Sequence, residues 1–73
     1  MKPIVVATLR LPDPIERLLG QHADCLFVDK GTADWRGRLR EALRDAEGLV
    51  TSGTAIDREL LAAAPKLRVV ANV

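Results

Sequence analysis

The sequence predicts an α/β fold, an open parallel sheet with helices packed on both of its faces. Four short apolar runs rich in β-branched residues recur along the chain, separated by segments with helical spacing. None of the four alternates cleanly between apolar and polar residues, which is the pattern of strands covered on both sides.

The runs are Ile4 to Ala7, Cys25 to Val28, Gly48 to Thr51 and Leu67 to Val73. Between the first two, Asp13-Pro14 opens a helix, with Asp13 as the cap and Pro14 at the first helical position, where a missing N–H costs nothing. Ile15, Leu18 and Leu19 form its apolar stripe and Gly20 its stop. In the second helix Trp35, Leu39, Ala42, Leu43 and Ala46 fall on one face. Arginines and acids (Arg36, Arg38, Arg40, Glu41, Arg44 and Asp45) occupy the rest, a solvated back. The third helix opens at Asp57 as N-cap, with Ile56 and Leu61 placed to pack as a hydrophobic staple. Pro65 ends it. Right-handed crossovers then stack the strands as one doubly wound unit. Its last strand runs to Val73 with no helix after it, so the sheet is expected to be incomplete at its C-terminal edge and the chain to be a fragment.

Composition narrows the function. The chain has 73 residues, enough for one small core, and 29% of them are charged. Net charge is +1 with acids and bases interspersed, which leaves no basic footprint for nucleic acid or a membrane surface. One tryptophan, one phenylalanine and no tyrosine provide no platform for stacking bases. Cys25 is the single cysteine and sits in an apolar run, where it reads as a small buried hydrophobe. The apolar start is too short for a signal-peptide core or a membrane span, so the cytoplasm is the default location.

Open α/β sheets bind ligands in the loops that follow the strands. The loop after the first strand, Thr8 to Pro12, has no glycine. The loop after the third, Thr51-Ser52-Gly53-Thr54-Ala55-Ile56, is a polar turn leading into a helix N-terminus, which suits an anion or a substrate carboxylate. The same residues also serve as ordinary turn and capping residues, and sequence chemistry alone does not choose. His22, the only histidine, falls between the first helix and the second strand, away from the ligand-binding edge, and reads as a surface loop residue. Asp24 and Asp29 bound the second strand. Neither a G-x-G-x-x-G nor a Walker loop occurs, and no nucleophile–base pair or metal cluster emerges. No self-contained active site is expected.

From Asp45 onward the sequence becomes specific. Asp45 to Thr51 (DAEGLVT), Ile56 to Leu61 (IDRELL) and Ala63 to Val73 (AAPKLRVVANV) together resemble the D-2-hydroxyacid dehydrogenase family. Lys2 to Val6 and the helix opening at Pro14-Ile15 also suit it, and the ending Ala71-Asn72-Val73 leans towards its glyoxylate/hydroxypyruvate reductase branch. The resemblance implies that residues 1–73 form the N-terminal part of a flavodoxin-like substrate-binding domain, with the dinucleotide-binding domain absent from this chain. It implies a parent enzyme transferring a hydride between NAD(P)H and a small 2-oxo acid, working as a homodimer. The family's substrate-holding arginine and its histidine–glutamate pair lie downstream of Val73, and His22 is not that histidine. The chain alone is therefore expected to be inactive and to bind no cofactor. Thr51, Ser52 and Gly53 match the family loop that lines the substrate side of the cleft, while Asn72 and Val73 lead up to a substrate-binding turn beyond the chain.

Two other readings compete. A receiver-like signalling module needs an acidic pair after the first strand and an aspartate after the third, where Ala7-Thr8 and Thr51-Ser52 stand instead. A stand-alone interaction module would complete its sheet by dimerising through the last strand.

Overall fold

A computed structural model describes residues 2–73. Four parallel strands, β1 (Ile4–Ala7), β2 (Asp24–Phe27), β3 (Ala46–Thr51) and β4 (Val69–Asn72), form one sheet in the order β2-β1-β3-β4. The helices are α1 (Asp13–His22), α2 (Trp35–Ala42) and α3 (Arg58–Ala62), with a single 3₁₀ turn at Leu43–Asp45. The strand–helix alternation and the parallel sheet agree with the sequence reading.

The register sorts the strand residues into two faces. Leu26, Val6, Leu49 and Val70 are aligned across the sheet, and so are Phe27, Ala7, Val50 and Ala71. Val6 and Leu49 are buried against Leu39 of α2, Leu43 of the 3₁₀ turn, Leu60 of α3 and Ala64, and this is the core. A register shift between Ile4 and Val5 inserts an extra residue of β3 opposite β1. That bulge lets Ala46 and Leu49, three residues apart, both join the core. On the other face α1 approaches β1 and β2, with Leu19, Ala7, Cys25 and Phe27 lining a common cleft.

The two inner strands are largely buried, whereas every residue of β2 and of β4 is exposed. The expectation that all four runs are covered on both faces therefore fails at the edges. A continuous apolar run reports the residue types and not the neighbours, and an edge strand has a partner on one side only. Cys25 is corrected for the same reason: it lies on edge strand β2 and is exposed.

Helix α1 departs from expectation in three ways. Pro12 holds the cap position, with no side-chain cap, and Asp13 lies inside the first turn. The Pro12 carbonyl accepts from the N–H groups of Ile15 and Glu16 at 3.0 and 2.9 Å, so the backbone opens the helix unaided. Gly20 does not stop it. Its φ is not positive, and the helix continues to His22, where the Ala23 N–H donates to the Leu19 carbonyl at 2.9 Å. His22 is thus an exposed helix-terminal residue rather than a loop residue. The stripe is also not buried: Ile15 and Leu18 are 53% and 59% exposed.

Helix α2 is shorter than its apolar pattern, because Leu43 begins the 3₁₀ turn and Ala46 already belongs to β3. Helix α3 starts as expected, with the Leu60 N–H donating to the Asp57 carboxylate at 2.8 Å, and ends ahead of Pro65. Leu60 rather than Leu61 is the buried residue, while Ile56 packs against the core and Leu61 stays exposed. The charged back of α2 is exposed but not idle. Arg36 and Arg40 reach Asp57 and Glu59 at 3.5 and 2.8 Å. With all four side chains close to half exposed or more, these pairs add little stability.

Candidate functional site

Strands β1, β2 and β3 end at one edge, and the three loops that follow converge there. The first is Thr8 to Pro12, the second runs from Val28 through Asp29-Lys30 and the third is Ser52 to Asp57. Backbone bonds carry the strand pairing up to this edge: the Thr8 N–H donates to the Val50 carbonyl and the Val28 N–H to the Ala7 carbonyl.

A chain of hydroxyls crosses the loops. Thr51 Oγ1 lies 2.7 Å from Thr8 Oγ1 and donates to Thr54 Oγ1 at 2.6 Å. A threonine hydroxyl has one hydrogen, so Thr8 donates to Thr51 and Thr51 to Thr54. All three threonines are buried, Thr51 completely. Lys30 closes the chain from the opposite side. Its ammonium donates to Thr54 Oγ1 at 2.9 Å and to the Ser52 carbonyl at 2.6 Å, and it lies 5.6 Å from the Trp35 ring centre. An ammonium cannot accept, so Thr54 receives two bonds and keeps its own hydrogen free for another acceptor. Among the described residues no carboxylate lies within ion-pair distance of Lys30.

The three residues singled out by sequence are consecutive here but unlike one another. The Thr51 hydroxyl is spent inside the protein, whereas Ser52 and Gly53 are exposed at the carboxyl edge. Gly53 has φ +65°, the left-handed turn that carries the chain from β3 towards α3. Sequence reasoning did not single out Lys30, Thr8 or Thr54 as members of one cluster. A signal for Lys30 exists in Asp29-Lys30-Gly31-Thr32. The Asp29 carboxylate accepts from the Gly31 N–H at 2.8 Å and the Asp29 carbonyl from Thr32 Oγ1 at 2.9 Å. This tight turn fixes where Lys30 departs from the backbone.

A second cleft lies between α1 and β2, lined by Arg10, Glu16, Leu19, Cys25 and Phe27 among others. Arg10 stacks over the Phe27 ring at 3.8 Å. The Cys25 thiol is pushed above its ordinary pKa, first by loss of water beside this apolar lining and then by the negative charges of Glu16 and Asp24. That shift makes it a poor nucleophile near neutral pH. Among the described residues there is no cluster of three metal-ligating side chains, and no helix is long and apolar enough to cross a membrane.

No protein-family model matches the chain. Glyoxylate/hydroxypyruvate reductase B of Erwinia tasmaniensis is 36% identical over 73 residues, which cover 100% of this chain and 23% of that protein. The proteins of the same name from Serratia proteamaculans and Yersinia pestis are 37% identical over 73 residues, 22% of their length. The chain is similar to the N-terminal part of glyoxylate/hydroxypyruvate reductases. The resemblance carried by the segments from Asp45 onward is therefore borne out, and it extends through the whole chain. The chain spans less than a quarter of the length of these curated relatives. Among solved structures, the PH0520 protein from Pyrococcus horikoshii OT3 superposes with a TM-score of 0.81 at 25% identity, over 99% of this chain and 21% of that one.

Proposed function

We propose that the chain is the N-terminal part of the substrate-binding domain of an NAD(P)-dependent oxidoreductase. Its parent reduces a small 2-oxo acid of the glyoxylate or hydroxypyruvate type. The observation that carries this reading is identity of 36–37% along the entire chain to proteins named for that activity. The site supports it. The polar turn Thr51 to Gly53 stands at the carboxyl edge of an inner strand, where open α/β sheets take ligands. In this reading Ser52 and Gly53 present backbone and hydroxyl to the substrate side, and Thr51 anchors the turn beneath them.

The residues present do not fit a dinucleotide. The loop from β1 to α1 has no glycine to let backbone approach a pyrophosphate, and α1 opens with Asp13, Pro14 and Glu16. Two acids repel phosphate and proline removes an N–H, so no anion cradle forms there. Hydride transfer and its proton are accordingly assigned to residues outside this chain, and residues 1–73 alone are inactive in this reading. The parent acts in the cytoplasm as a homodimer. The test is to express the full-length protein and follow NADH and NADPH oxidation with glyoxylate and with hydroxypyruvate. Turnover of either acid is expected; a pure, folded protein that oxidises neither cofactor would overturn the proposal.

A further inference from the structure

We infer that Lys30 is a positioning residue for the turn between β3 and α3, and that it brings to this turn the positive charge that draws an anionic substrate. The inference rests on the reading of that turn as the substrate side of a 2-oxo acid site. Three observations carry it. The Lys30 ammonium bonds both ends of the turn, the Ser52 carbonyl at 2.6 Å and the Thr54 hydroxyl at 2.9 Å, and so spans the left-handed link at Gly53. Both acceptors are neutral, and no carboxylate among the described residues makes an ion pair with the ammonium. The ammonium also has a third hydrogen that neither acceptor uses.

A long side chain loses freedom when it is held, and an ion pair can offset part of that loss. Lys30 is held without one. The turn of Asp29 to Thr32 fixes the backbone from which Lys30 departs, and its two acceptors, with the Trp35 ring 5.6 Å from the ammonium, hold the charge at the carboxyl edge. Such a charge both shapes the turn and raises the local concentration of anions. Lys30 touches the turn rather than the reacting atoms, so its effect falls on binding.

The experiment uses the full-length protein with K30M, which keeps length and loses charge and donors, and K30R, which keeps the charge. K66M is the control, since Lys66 reaches only Asp45 on the surface. In K30M the amides of Leu60 and Val73, which donate to the Asp57 carboxylate and the Thr51 carbonyl on either side of the turn, are expected to exchange hydrogen about tenfold faster. KM for glyoxylate should rise about tenfold, equivalent to about 1.4 kcal/mol, with kcat within about twofold. K30R should bring KM back to within about threefold of the wild type, and the rise of KM with added salt should be weaker in K30M. Unchanged exchange in K30M overturns the tether, and faster exchange with unmoved KM overturns its link to substrate. If K30R is as impaired as K30M, charge is not the operative property. A wild-type protein that reduces no 2-oxo acid overturns the parent reading instead, and the tether then stands or falls on exchange alone.

Discussion

Thr8, the first residue after β1, and Thr51, the last residue of β3, lie forty-three residues apart and share a hydrogen bond of 2.7 Å between buried hydroxyls. The bond ties the loop after β1 to the end of β3, and through Thr54 and Lys30 it reaches the loops after β3 and β2. Three crossover connections are thus joined at one edge by side chains, beyond the reach of the sheet's own ladder.

Replacing Thr51 with valine keeps the shape and removes the middle of this chain, leaving the Thr8 and Thr54 hydroxyls short of a partner. A loss of about 1–3 kcal/mol is expected in urea unfolding. Thr51→Ser keeps the hydroxyl and should recover most of it. Equal losses for the two variants would show that the methyl packing, not the bond, is what matters.

Gly53 has φ +65°, and a Cβ added there meets nothing within 4 Å. Its substitution therefore isolates the backbone cost from any clash. Gly53→Ala is expected to lower stability by about 1–2 kcal/mol, and Gly53→Asn by less, because asparagine tolerates this conformation. The ranking is read from urea midpoints.

Neighbouring leucines on α3 should behave oppositely. Leu60 is 4% exposed within the core, and Leu60→Ala is expected to cost about 2–5 kcal/mol. Leu61 is 49% exposed, and Leu61→Ala should fall within about 0.5 kcal/mol of the wild type. Thermal or urea unfolding of the pair checks the assignment of the buried face.

Asp57 caps α3 through the Leu60 N–H at 2.8 Å. Asp57→Ala should cost about 1 kcal/mol, and Asp57→Asn clearly less, since an amide oxygen still accepts that bond. Mutating Arg36, which reaches Asp57 at 3.5 Å across an exposed surface, should change stability by under about 0.5 kcal/mol.

The Cys25 thiol is held above its ordinary pKa by the apolar cleft and by Glu16 and Asp24, so less thiolate forms at a given pH. Iodoacetamide should label it more slowly at pH 8 than it labels a small free thiol, and the gap should close as pH rises. Glu16→Gln removes one of the negative charges and should speed the reaction. Labelling as fast as a free thiol would contradict the shift.

Some elements were legible because their causes are local. Asp57 as a cap, Pro65 as a stop and the β-branched run of β1 each depend on residues within one turn or one strand. The boundaries that went astray depend on neighbours. Ala46 continues the helical spacing of Trp35, Leu39 and Leu43, yet the bulge in β3 lets it reach the same core as the first strand residue. Gly20 offers a stop that the helix does not use, since no positive φ is demanded there.

The candidate site divides in the same way. The sequence by itself determined the alternation of strands and helices, the polar turn Thr51 to Gly53 and the kinship carried from Asp45 onward, all of which lie in contiguous residues. Only the tertiary structure decided that β2 and β4 are edges, that Cys25 is exposed and that Lys30 meets Ser52 and Thr54 across twenty-two and twenty-four residues. Burial and hydrogen-bond partnership are properties of what surrounds a residue. In a parallel sheet every neighbour arrives through a long crossover, so those surroundings are not written in local spacing.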